Sequence, residues 1–373
     1  MRSFRVATFN VENINRAGVF FAGRPKDAAY DAASIEAKAS WIGGILDASR
    51  ADIVGVQEVF SVEALELAAS KSPYLVQSGP ITVLAPGTEG RKNEKTNSDG
   101  RTEAEGPFVG LISRFPVLHV ESIAAFPANV ELRIPTGLHD DAGTVVTLPI
   151  AAFERSVLKA RIAVKEGVEI TVLVAHLKSK RAKYLPGEDI EDPVVMALGA
   201  TRSLIVRAAE AVALRSIVSS IIRDKEPGAR GEPLIVLGDL NDDVPTVTSQ
   251  VVAGDEPPHY WSREQKQKLW DVLLYSVHDL QEAQSYRDVS YTHIFNGRYE
   301  LLDHIFVSQE FVRQFPHRVA EVRNTRIFND HIFARRLAAP GEKASTALRL
   351  VSLGSDHGVP VTEFTFQNVA PAS

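Results

Sequence analysis

Oxygen-bearing and imidazole side chains recur at the ends of apolar segments throughout the 373-residue chain. The segments VATFN, IVGVQE, TVLVAH and LIVLGDLND each lead into an amide, a carboxylate or an imidazole. The residues concerned are Asn10, Glu12, Glu58, His176, Asp239 and Asn241. Carboxylate and amide oxygens are ligands that Mg²⁺ and Mn²⁺ prefer, and a carboxylate can also align an attacking water. These residue types therefore indicate phosphoester hydrolysis at a hard cation, provided that the fold brings them together.

Other hydrolytic chemistries lack their sequence motifs. The chain has no HExxH, no Walker lysine loop and no GxSxG, so zinc peptidase, nucleotide triphosphatase and serine hydrolase activities have no support. It also has no cysteine, which excludes disulfides, thiolate metal sites and a cysteine nucleophile. A bound metal must use oxygen or imidazole ligands, and we predict Mg²⁺ or Mn²⁺ as the cofactor.

Two Asp-His pairs lie near the C-terminus, Asp330-His331 in FNDHIF and Asp356-His357 in LGSDHGVPV. An aspartate that hydrogen-bonds an imidazole fixes its tautomer and raises its basicity, which is a common catalytic device. Adjacent residues on an extended strand point to opposite faces, so neither aspartate can easily serve its own neighbour. We therefore expect the partner aspartate to come from another part of the chain.

Short apolar runs alternate with longer amphipathic segments, which predicts a layered α/β fold. The runs read as buried strands, at residues 4–9, 53–56, 108–112, 168–175 and 234–237. Residues 34–49 and 201–223 place apolar side chains on one stripe and predict helices that cover a sheet. Residues 87–106 and 185–193 predict exposed loops. Because strands of such folds end on a common rim, we expect the polar residues to share one site.

Composition places the chain among ordinary globular proteins, with 45% hydrophobic and 24% charged residues. The net charge of −6 argues against wholesale attraction to nucleic acid, although a local basic groove can coexist with an acidic total. No signal peptide or membrane span is recognisable, so we expect a cytoplasmic location and no membrane partner.

Six motifs occur in order over essentially the whole chain: TFNVEN, VGVQEV, AHLKSK, GDLND, LLDHIFVS and SDHGVPV. Together they resemble the endonuclease/exonuclease/phosphatase superfamily, which includes DNase I, exonuclease III and the neutral sphingomyelinases. The resemblance implies a four-layer α/β sandwich, with two packed mixed β-sheets flanked by helices. It implies one domain over residues 1–368, followed by a tail at 369–373. It also implies a metal-dependent phosphoric ester hydrolase.

The resemblance assigns a metal site to four residues. Glu58 would be the principal ligand, with Asn10 beside it. Glu12 would occupy a nearby position that is an acid in some members, and Asp356 would face the metal.

The resemblance also assigns catalytic roles. Asp239 would orient or activate the attacking water, Asn241 would hold a phosphate oxygen, and His176 would stabilise the transition state or assist the leaving group. Arg155 would contact phosphate, with Arg161 and Arg133 as nearby alternatives.

For the Asp-His pairs, the resemblance implies that Asp303 orients His357 from a neighbouring strand. Asp330 and His331 would then be a surface pair. His304 follows Asp303 on the same strand, so it should point into the opposite layer as a hydrogen-bonded structural histidine.

Substrate choice depends on a basic run just beyond His176, formed by Lys178, Lys180, Arg181 and Lys183. A solvated charge run is the simpler interpretation. However, the HLKSK form and the segment YTHIFNGRYELLDHIFVS resemble a bacterial nuclease branch related to secreted DNases, although this chain has neither their signal peptide nor their cysteines. We therefore predict a nuclease that hydrolyses nucleic-acid phosphodiester bonds, with the basic run along the phosphate backbone.

Two alternatives remain open. A phosphatase or phospholipase C-like hydrolase would act on a small or lipid phosphoester; a lipid enzyme would want an exposed apolar hairpin, and the sequence shows no clear one. A catalytically inactive binding module would be expected to have lost a ligand or the dyad, and all of those residues are present. No protein partner can be inferred, and we expect a monomer.

Overall fold

The structure is a computed structural model. It describes residues 3–24, 28–77, 79–136, 145–223, 231–243, 246–255, 257–258, 260–282, 290–295, 298–332 and 354–366. The predicted tail at 369–373 lies outside these residues.

Strands occur along the whole described chain, and α-helices lie between some of them. The strands are β1 (Ser3–Ile14), β2 (Phe20–Phe21), β3 (Ile53–Val59), β4 (Thr82–Leu84), β5 (Glu94–Thr96), β6 (Thr102–Ala104), β7 (Phe108–Ser113), β8 (Val117–Ala125), β9 (Leu132–Pro135), β10 (Val145–Leu148), β11 (Ala152–Lys165), β12 (Val168–His176), β13 (Leu234–Asp239), β14 (Tyr275–Ser276), β15 (His293–Phe295), β16 (Arg298–Glu300), β17 (Asp303–Val307), β18 (Ala320–Phe328) and β19 (Val359–Phe366). The helices are α1 (Ala32–Ser49), α2 (Val62–Ser70), α3 (Pro73–Gln77), α4 (Pro193–Ile222), α5 (Val247–Ala253), α6 (Arg263–Trp270) and α7 (Val277–Glu282).

Two six-stranded sheets form the centre of the fold. The first has the order β18-β19-β1-β3-β7-β4, and the second has the order β14-β17-β13-β12-β11-β8. Each sheet contains one parallel pair, β1 with β3 and β12 with β13, and its other neighbours are antiparallel. Both sheets are therefore mixed.

Alternating side chains place one apolar layer between the sheets and one on each outer face. In β1, Phe4 and Val6 pack between the sheets, whereas Ala7 and Phe9 pack beneath α1. The outer face of the second sheet packs against α4, which contributes residues such as Leu214. The layers run helix, sheet, sheet, helix, which confirms the predicted four-layer α/β architecture.

The predicted strands and the first helix are present, and residues 185–192 form the predicted loop, whereas the start of the second helix and residues 87–106 differ from the prediction. Helix α4 begins at Pro193, eight residues before the predicted start, because the Asp192 side chain accepts a hydrogen bond from the Val194 backbone and proline is favourable in the first turn. Residues 87–106 include β5 and β6, which form a small sheet with β2. That pairing depends on residues far away in the sequence, which local composition does not reveal.

Candidate active site at the strand ends

Three adjacent strands of the second sheet end in a row of polar residues. His176 on β12 is the register partner of Asp239 on β13, and Asp239 is in turn the partner of Asp303 on β17. All three are buried. His176 Nε2 lies 3.5 Å from Asp239 Oδ2. Asp239 Oδ1 accepts a hydrogen bond of 2.8 Å from the Asn241 backbone, so this carboxylate is fixed in direction.

Asn10 joins this row to the first sheet. Its Nδ2 donates to Asp239 Oδ2 at 3.1 Å and to Glu58 Oε1 at 3.3 Å, while its Oδ1 accepts from the Glu12 backbone at 3.0 Å. One buried amide therefore contacts the proposed water-orienting carboxylate and the proposed metal ligand at the same time. The two sheets contribute to a single site.

The backbone changes direction at the residues that enter the site. The β1–β3 pairing shifts register between Asn10 and Ile14, and the β3–β7 pairing shifts between Val56 and Val59. Glu12, Glu58 and Asn241 have φ values of 52°, 65° and 53°. Such left-handed conformations are uncommon for residues with a side chain and cluster at functional sites, where they aim a side chain out of the regular pleat.

His357 and Asp303 form a hydrogen-bonded pair. His357 Nδ1 lies 2.8 Å from Asp303 Oδ2, and His357 Nε2 lies 3.8 Å from Asp239 Oδ2. The His357 backbone donates to Ser355 Oγ, which itself donates to the Asn10 carbonyl. Asp303 and His357 are paired as predicted, but they do not lie on neighbouring strands, because Asp303 begins β17 of the second sheet and His357 lies in the loop before β19 of the first sheet. The catalytic role of the pair remains a prediction.

The second Asp-His pair lies at the surface, beside the loop that carries His357. Asp330 is exposed and His331 is partly exposed, and His331 Nε2 lies 2.8 Å from the carbonyl oxygen of His357. The His331 ring also packs edge-on against Trp41, at 5.0 Å between centroids. His331 therefore supports the loop that carries His357. His304 matches its structural interpretation, since it is buried and its Nε2 lies 2.8 Å from the Asp242 carbonyl.

Burial and mutual repulsion disfavour charge on the carboxylates. Burial raises the pKa of Glu58; Asp356 adds to this effect and Arg155 opposes it. Burial also raises the pKa of Asp239, with Asp303 adding and His357 opposing. Several acids thus share a poorly solvated region.

The pKa values of the two histidines beside Asp239 are shifted in opposite directions. Burial lowers the pKa of His176 well below its ordinary value, and the positive charge of Arg155 lowers it further. Burial opposes charge on His357 as well, but the carboxylates of Asp303 and Asp239 outweigh it and hold the pKa of that imidazole well above its usual range. Pairs of groups whose environments separate their pKa values commonly divide acid and base roles.

The acids fit a divalent cation. Glu58 and Asp356 are close enough for their charges to repel, and Glu58 is partly buried. Hard oxygen donors in this arrangement suit Mg²⁺ or Mn²⁺, whose charge would offset that repulsion. Among the described residues, Asp239, Asp303 and His357 also place ligand atoms within 4.8 Å of one another. Within this trio, His357 Nδ1 already pairs with Asp303.

The other predicted site residues differ in their contacts. Glu12 contributes its backbone to Asn10, and its carboxylate, like that of Glu58, raises the pKa of the buried Tyr30 hydroxyl after the larger effect of burial. Asn241 Nδ2 donates to the Leu177 carbonyl at 3.1 Å, which leaves one amide hydrogen for a ligand. Arg155 Nη1 donates to the same carbonyl, and its charge acts on Glu58 and His176.

The basic run does not form one exposed cationic surface. Lys178 is 6% exposed, and its Nζ donates to Ser179 and to the Arg181 carbonyl, so its ammonium group points into its own loop. Lys180 pairs with Glu300 at 3.0 Å, and Lys183 pairs with Glu154. Arg181 is exposed. The ammonium group of Lys178 is therefore not positioned to contact phosphate.

Several residues with contacts in or around the site were not predicted. Arg24 is half-buried. Burial lowers the pKa of its guanidinium, the charges of Arg181 and Arg155 lower it further, and the charge of Glu58 opposes this effect. Lys38 is fully buried and donates to the carbonyls of Glu12 and Gly354 at 3.0 and 3.2 Å.

Glu210 on α4 is also buried. Its carboxylate accepts hydrogen bonds from the backbone amides of Glu154 and Lys178, next to Arg155 and Leu177. Lys38 and Glu210 are charged residues on the buried faces of helices, and such a break in an apolar stripe is a signal readable from sequence.

Comparison with known proteins adds a family to this geometry. The pattern of the Endonuclease/Exonuclease/phosphatase family matches residues 7–357. The chain belongs to this family. Members of the family hydrolyse phosphoesters and generally depend on a divalent metal, so the chain is grouped with phosphoester hydrolases. A comparison with curated protein sequences gives no match.

Three solved structures from named organisms are similar to this family member. A truncated TDP2 from Caenorhabditis elegans is 12% identical, with 97% of each chain covered and a TM-score of 0.48. An endonuclease/exonuclease/phosphatase from Bacteroides vulgatus is 14% identical, with 98% of this chain and 100% of that chain covered and a TM-score of 0.48. A mannosyl-6-phosphatase from Bacteroides thetaiotaomicron is 14% identical over the same shares, with a TM-score of 0.47. These likenesses are too distant to transfer an activity. Within the described part of this family member, no helix combines the length and apolarity needed to cross a bilayer.

Proposed function

We propose that the protein is a divalent-metal-dependent nuclease that hydrolyses phosphodiester bonds by attack of water. The observation that carries the proposal is the position of Asp239 Oδ2, which lies within 4 Å of an imidazole nitrogen of both His176 and His357 and is bonded to Asn10. A carboxylate fixed in this way is suited to aligning water beside groups that hold or release a proton.

Each neighbouring group has a defined task in this proposal. Asp239 orients the water and takes its proton, since the Asn241 amide and Asn10 fix both carboxylate oxygens. His357, paired with Asp303, holds a proton near the reacting phosphate, and His176 presents a neutral imidazole. Asn10, Glu58 and Asp356 would hold Mg²⁺ or Mn²⁺. When bound, this ion supplies positive charge to the phosphoryl oxygens.

Nucleic acid is favoured as substrate by the arginines around Glu58. Arg155 and Arg24 both interact electrostatically with Glu58. Arg24 also interacts electrostatically with the exposed Arg181. Guanidinium groups suit phosphate because they offer several fixed donors. The arginines, rather than the paired Lys180 and Lys183, would therefore contact the backbone.

The test is an incubation of the purified protein with plasmid, linear DNA, RNA, bis(p-nitrophenyl) phosphate and p-nitrophenyl phosphate, with Mg²⁺, Mn²⁺ or excess chelator. We expect metal-dependent cleavage of nucleic acid. Glu58→Gln keeps the side-chain size but removes the charge, so it should lower the rate by about 10²-fold and raise the metal concentration needed for half-maximal rate. Glu66→Gln, on the exposed face of α2, is the matched control. Full turnover in chelator, or hydrolysis of the monoester with nucleic acid left intact, contradicts the proposal.

A phosphatase or phospholipase C-like activity is the second candidate, and two observations favour it. Two of the four basic-run cations are occupied in ion pairs. The sheet β9–β10 also carries Ile134 and Val146 directly opposite each other, and each is 47% exposed. This is an exposed apolar two-stranded element of the kind that the sequence did not reveal. Faster hydrolysis of phospholipid vesicles than of nucleic acid, lost in Ile134→Ser/Val146→Ser while a soluble diester is still cleaved, would favour this candidate.

A further inference from the structure

His293 on β15 lies beside the proposed metal ligand and the proposed catalytic pair. Its Nε2 is 3.9 Å from Asp356 Oδ2, and its ring centroid is 5.0 Å from that of His357. The side chain is only 15% exposed. A third imidazole is therefore placed at the site, next to an oxygen donor.

The opposite nitrogen of the same ring faces a carboxylate. His293 and Glu300 are register partners in the β15–β16 pair, and His293 Nδ1 lies 3.9 Å from Glu300 Oε2. Glu300 is held in turn by Lys180, whose Nζ is 3.0 Å from Oε1. Metal-binding histidines commonly direct their second nitrogen to a carboxylate, which sets the ring orientation and raises the basicity of the ligand. Glu300 would do this for His293 once a small side-chain rotation shortens the 3.9 Å separation to a hydrogen bond.

Thr292, the residue before His293, joins strand β15 to the backbone next to both Asp303 and His357. Thr292 Oγ1 accepts hydrogen bonds from the backbone amides of Leu302 and Asp303, at 2.9 and 3.1 Å. The Thr292 carbonyl accepts from the Gly358 amide at 2.6 Å, immediately after His357. The backbone that carries His293 is thus held to both strands of the site, as a ligand position requires.

The separation of the two donors suits one ion. Two ligands of an octahedral ion with bonds of about 2.1 Å lie about 3.0 Å apart when adjacent and about 4.2 Å apart when opposite. The 3.9 Å between His293 Nε2 and Asp356 Oδ2 is close to the separation of opposite ligands. A small side-chain rotation would therefore let both side chains contact the same ion.

We propose that His293 supplies an imidazole nitrogen to the cation site and shifts its selectivity from Mg²⁺ toward transition-metal ions. The inference rests on the proposed metal-dependent function and adds a ligand to it. Mg²⁺ favours oxygen ligands, whereas imidazole binds later first-row ions such as Co²⁺ more strongly. His293 thereby determines which ion occupies a site that is otherwise built from oxygen donors.

The test measures binding of Co²⁺ and of Mg²⁺ by calorimetry to the full chain without substrate. His293→Gln offers an amide oxygen at similar reach, so the affinity for Co²⁺ should fall about tenfold while that for Mg²⁺ changes less than about threefold. Glu300→Gln should weaken Co²⁺ binding by a smaller factor. His317→Gln, which removes an exposed histidine, should change neither affinity.

Unchanged affinities in His293→Gln, or equal changes for both ions, overturn the inference. If His293→Gln fails to fold, as judged by circular dichroism, the visible spectrum of Co²⁺ bound to the wild type decides, since an imidazole nitrogen and an all-oxygen site give different spectra. Failure of the wild type to bind either ion would overturn the proposed metal dependence as well. Intact hydrolysis with unchanged selectivity in the variant would overturn this inference alone.

Discussion

Asp303 and His357 make a close side-chain contact in the site, with 2.8 Å between Asp303 Oδ2 and His357 Nδ1. If they act as one unit, removal of either should lower the hydrolysis rate by about 10²-fold or more, because general acid–base steps are commonly worth that much. The double variant Asp303→Asn/His357→Ala should be little slower than either single variant, since members of a unit are strongly non-additive. Initial rates under saturating metal give the comparison. Asp330→Asn is the control, and multiplicative losses in the double variant would contradict a shared role.

His331 contacts the backbone of His357. Its Nε2 donates to the His357 carbonyl, and its ring packs against Trp41. His331→Ala removes both contacts, so the loop that carries His357 should be held less firmly and the rate should fall about tenfold. His331→Gln keeps a donor and should recover part of the rate. Rates for both variants beside Asp330→Asn provide the measurement; a rate for His331→Ala equal to that of the control would show that the contact is irrelevant to catalysis.

At the scale of elements, helix α1 contains adjacent glycines with opposite surroundings. A Cβ added at Gly43 would lie 2.3 Å from Lys71 Cβ and 2.8 Å from the Ala68 carbonyl, whereas one added at Gly44 would meet nothing within 4 Å. Gly43→Ala should therefore destabilise the protein by about 1–3 kcal/mol through overpacking against the end of α2. Gly44→Ala should stabilise it by about 0.5–1 kcal/mol through helix propensity.

Urea unfolding followed by tryptophan fluorescence measures both free energies. Because the two substitutions are chemically identical and one residue apart, any difference between them reports the α1–α2 contact. Equal effects on the free energy of unfolding would mean that this contact relaxes without cost.

The sequence predicted elements best where the pattern was local. Apolar runs that end in Asn10, Glu58, His176 and Asp239 identified core strands and their polar ends, and strand geometry explains why those ends meet. Contacts made across the chain were harder to predict. His293 enters the site through a pairing with Glu300 and through Thr292, neither of which leaves a periodic signal.

Lys178 illustrates the opposite error. Its position in HLKSKRAK resembles that of its exposed neighbours, yet its ammonium group bonds to oxygens of its own loop. A lysine can be read from the sequence, but the direction of its side chain cannot. The early start of α4 was missed for a related reason, because the cap at Asp192 lies within a segment whose composition is that of a loop.

The stability of the whole molecule should depend on pH through His278, a buried histidine on α7. Burial lowers the pKa of His278 to about 3, with the charge of nearby His304 adding to the effect. Since the unfolded chain binds a proton near pH 6.5, this group contributes full stability above that pH and loses it as pH falls toward 3. By pH 5 the loss from His278 is about 2 kcal/mol.

His278→Gln should therefore lose about 2 kcal/mol less than the wild type between pH 7.5 and pH 5, in urea unfolding at the two pH values. His317→Gln removes an exposed histidine and should behave like the wild type. If His278→Gln and the wild type lose equal stability on acidification, His278 does not remain neutral in the folded protein.

The pairing of β19 with β1 has a consequence for the protein during its synthesis. β19 lies between β18 and β1, and His357 lies two residues before it, whereas Asn10 and Glu58 are translated earlier than either. Asp303 has no imidazole partner until residue 357 has been made, and β1 has an open edge until β19 arrives. A growing polypeptide therefore carries the first part of the site without the Asp303–His357 pair, and it gains the complete set of predicted reacting groups only when residue 357 and β19 have been added.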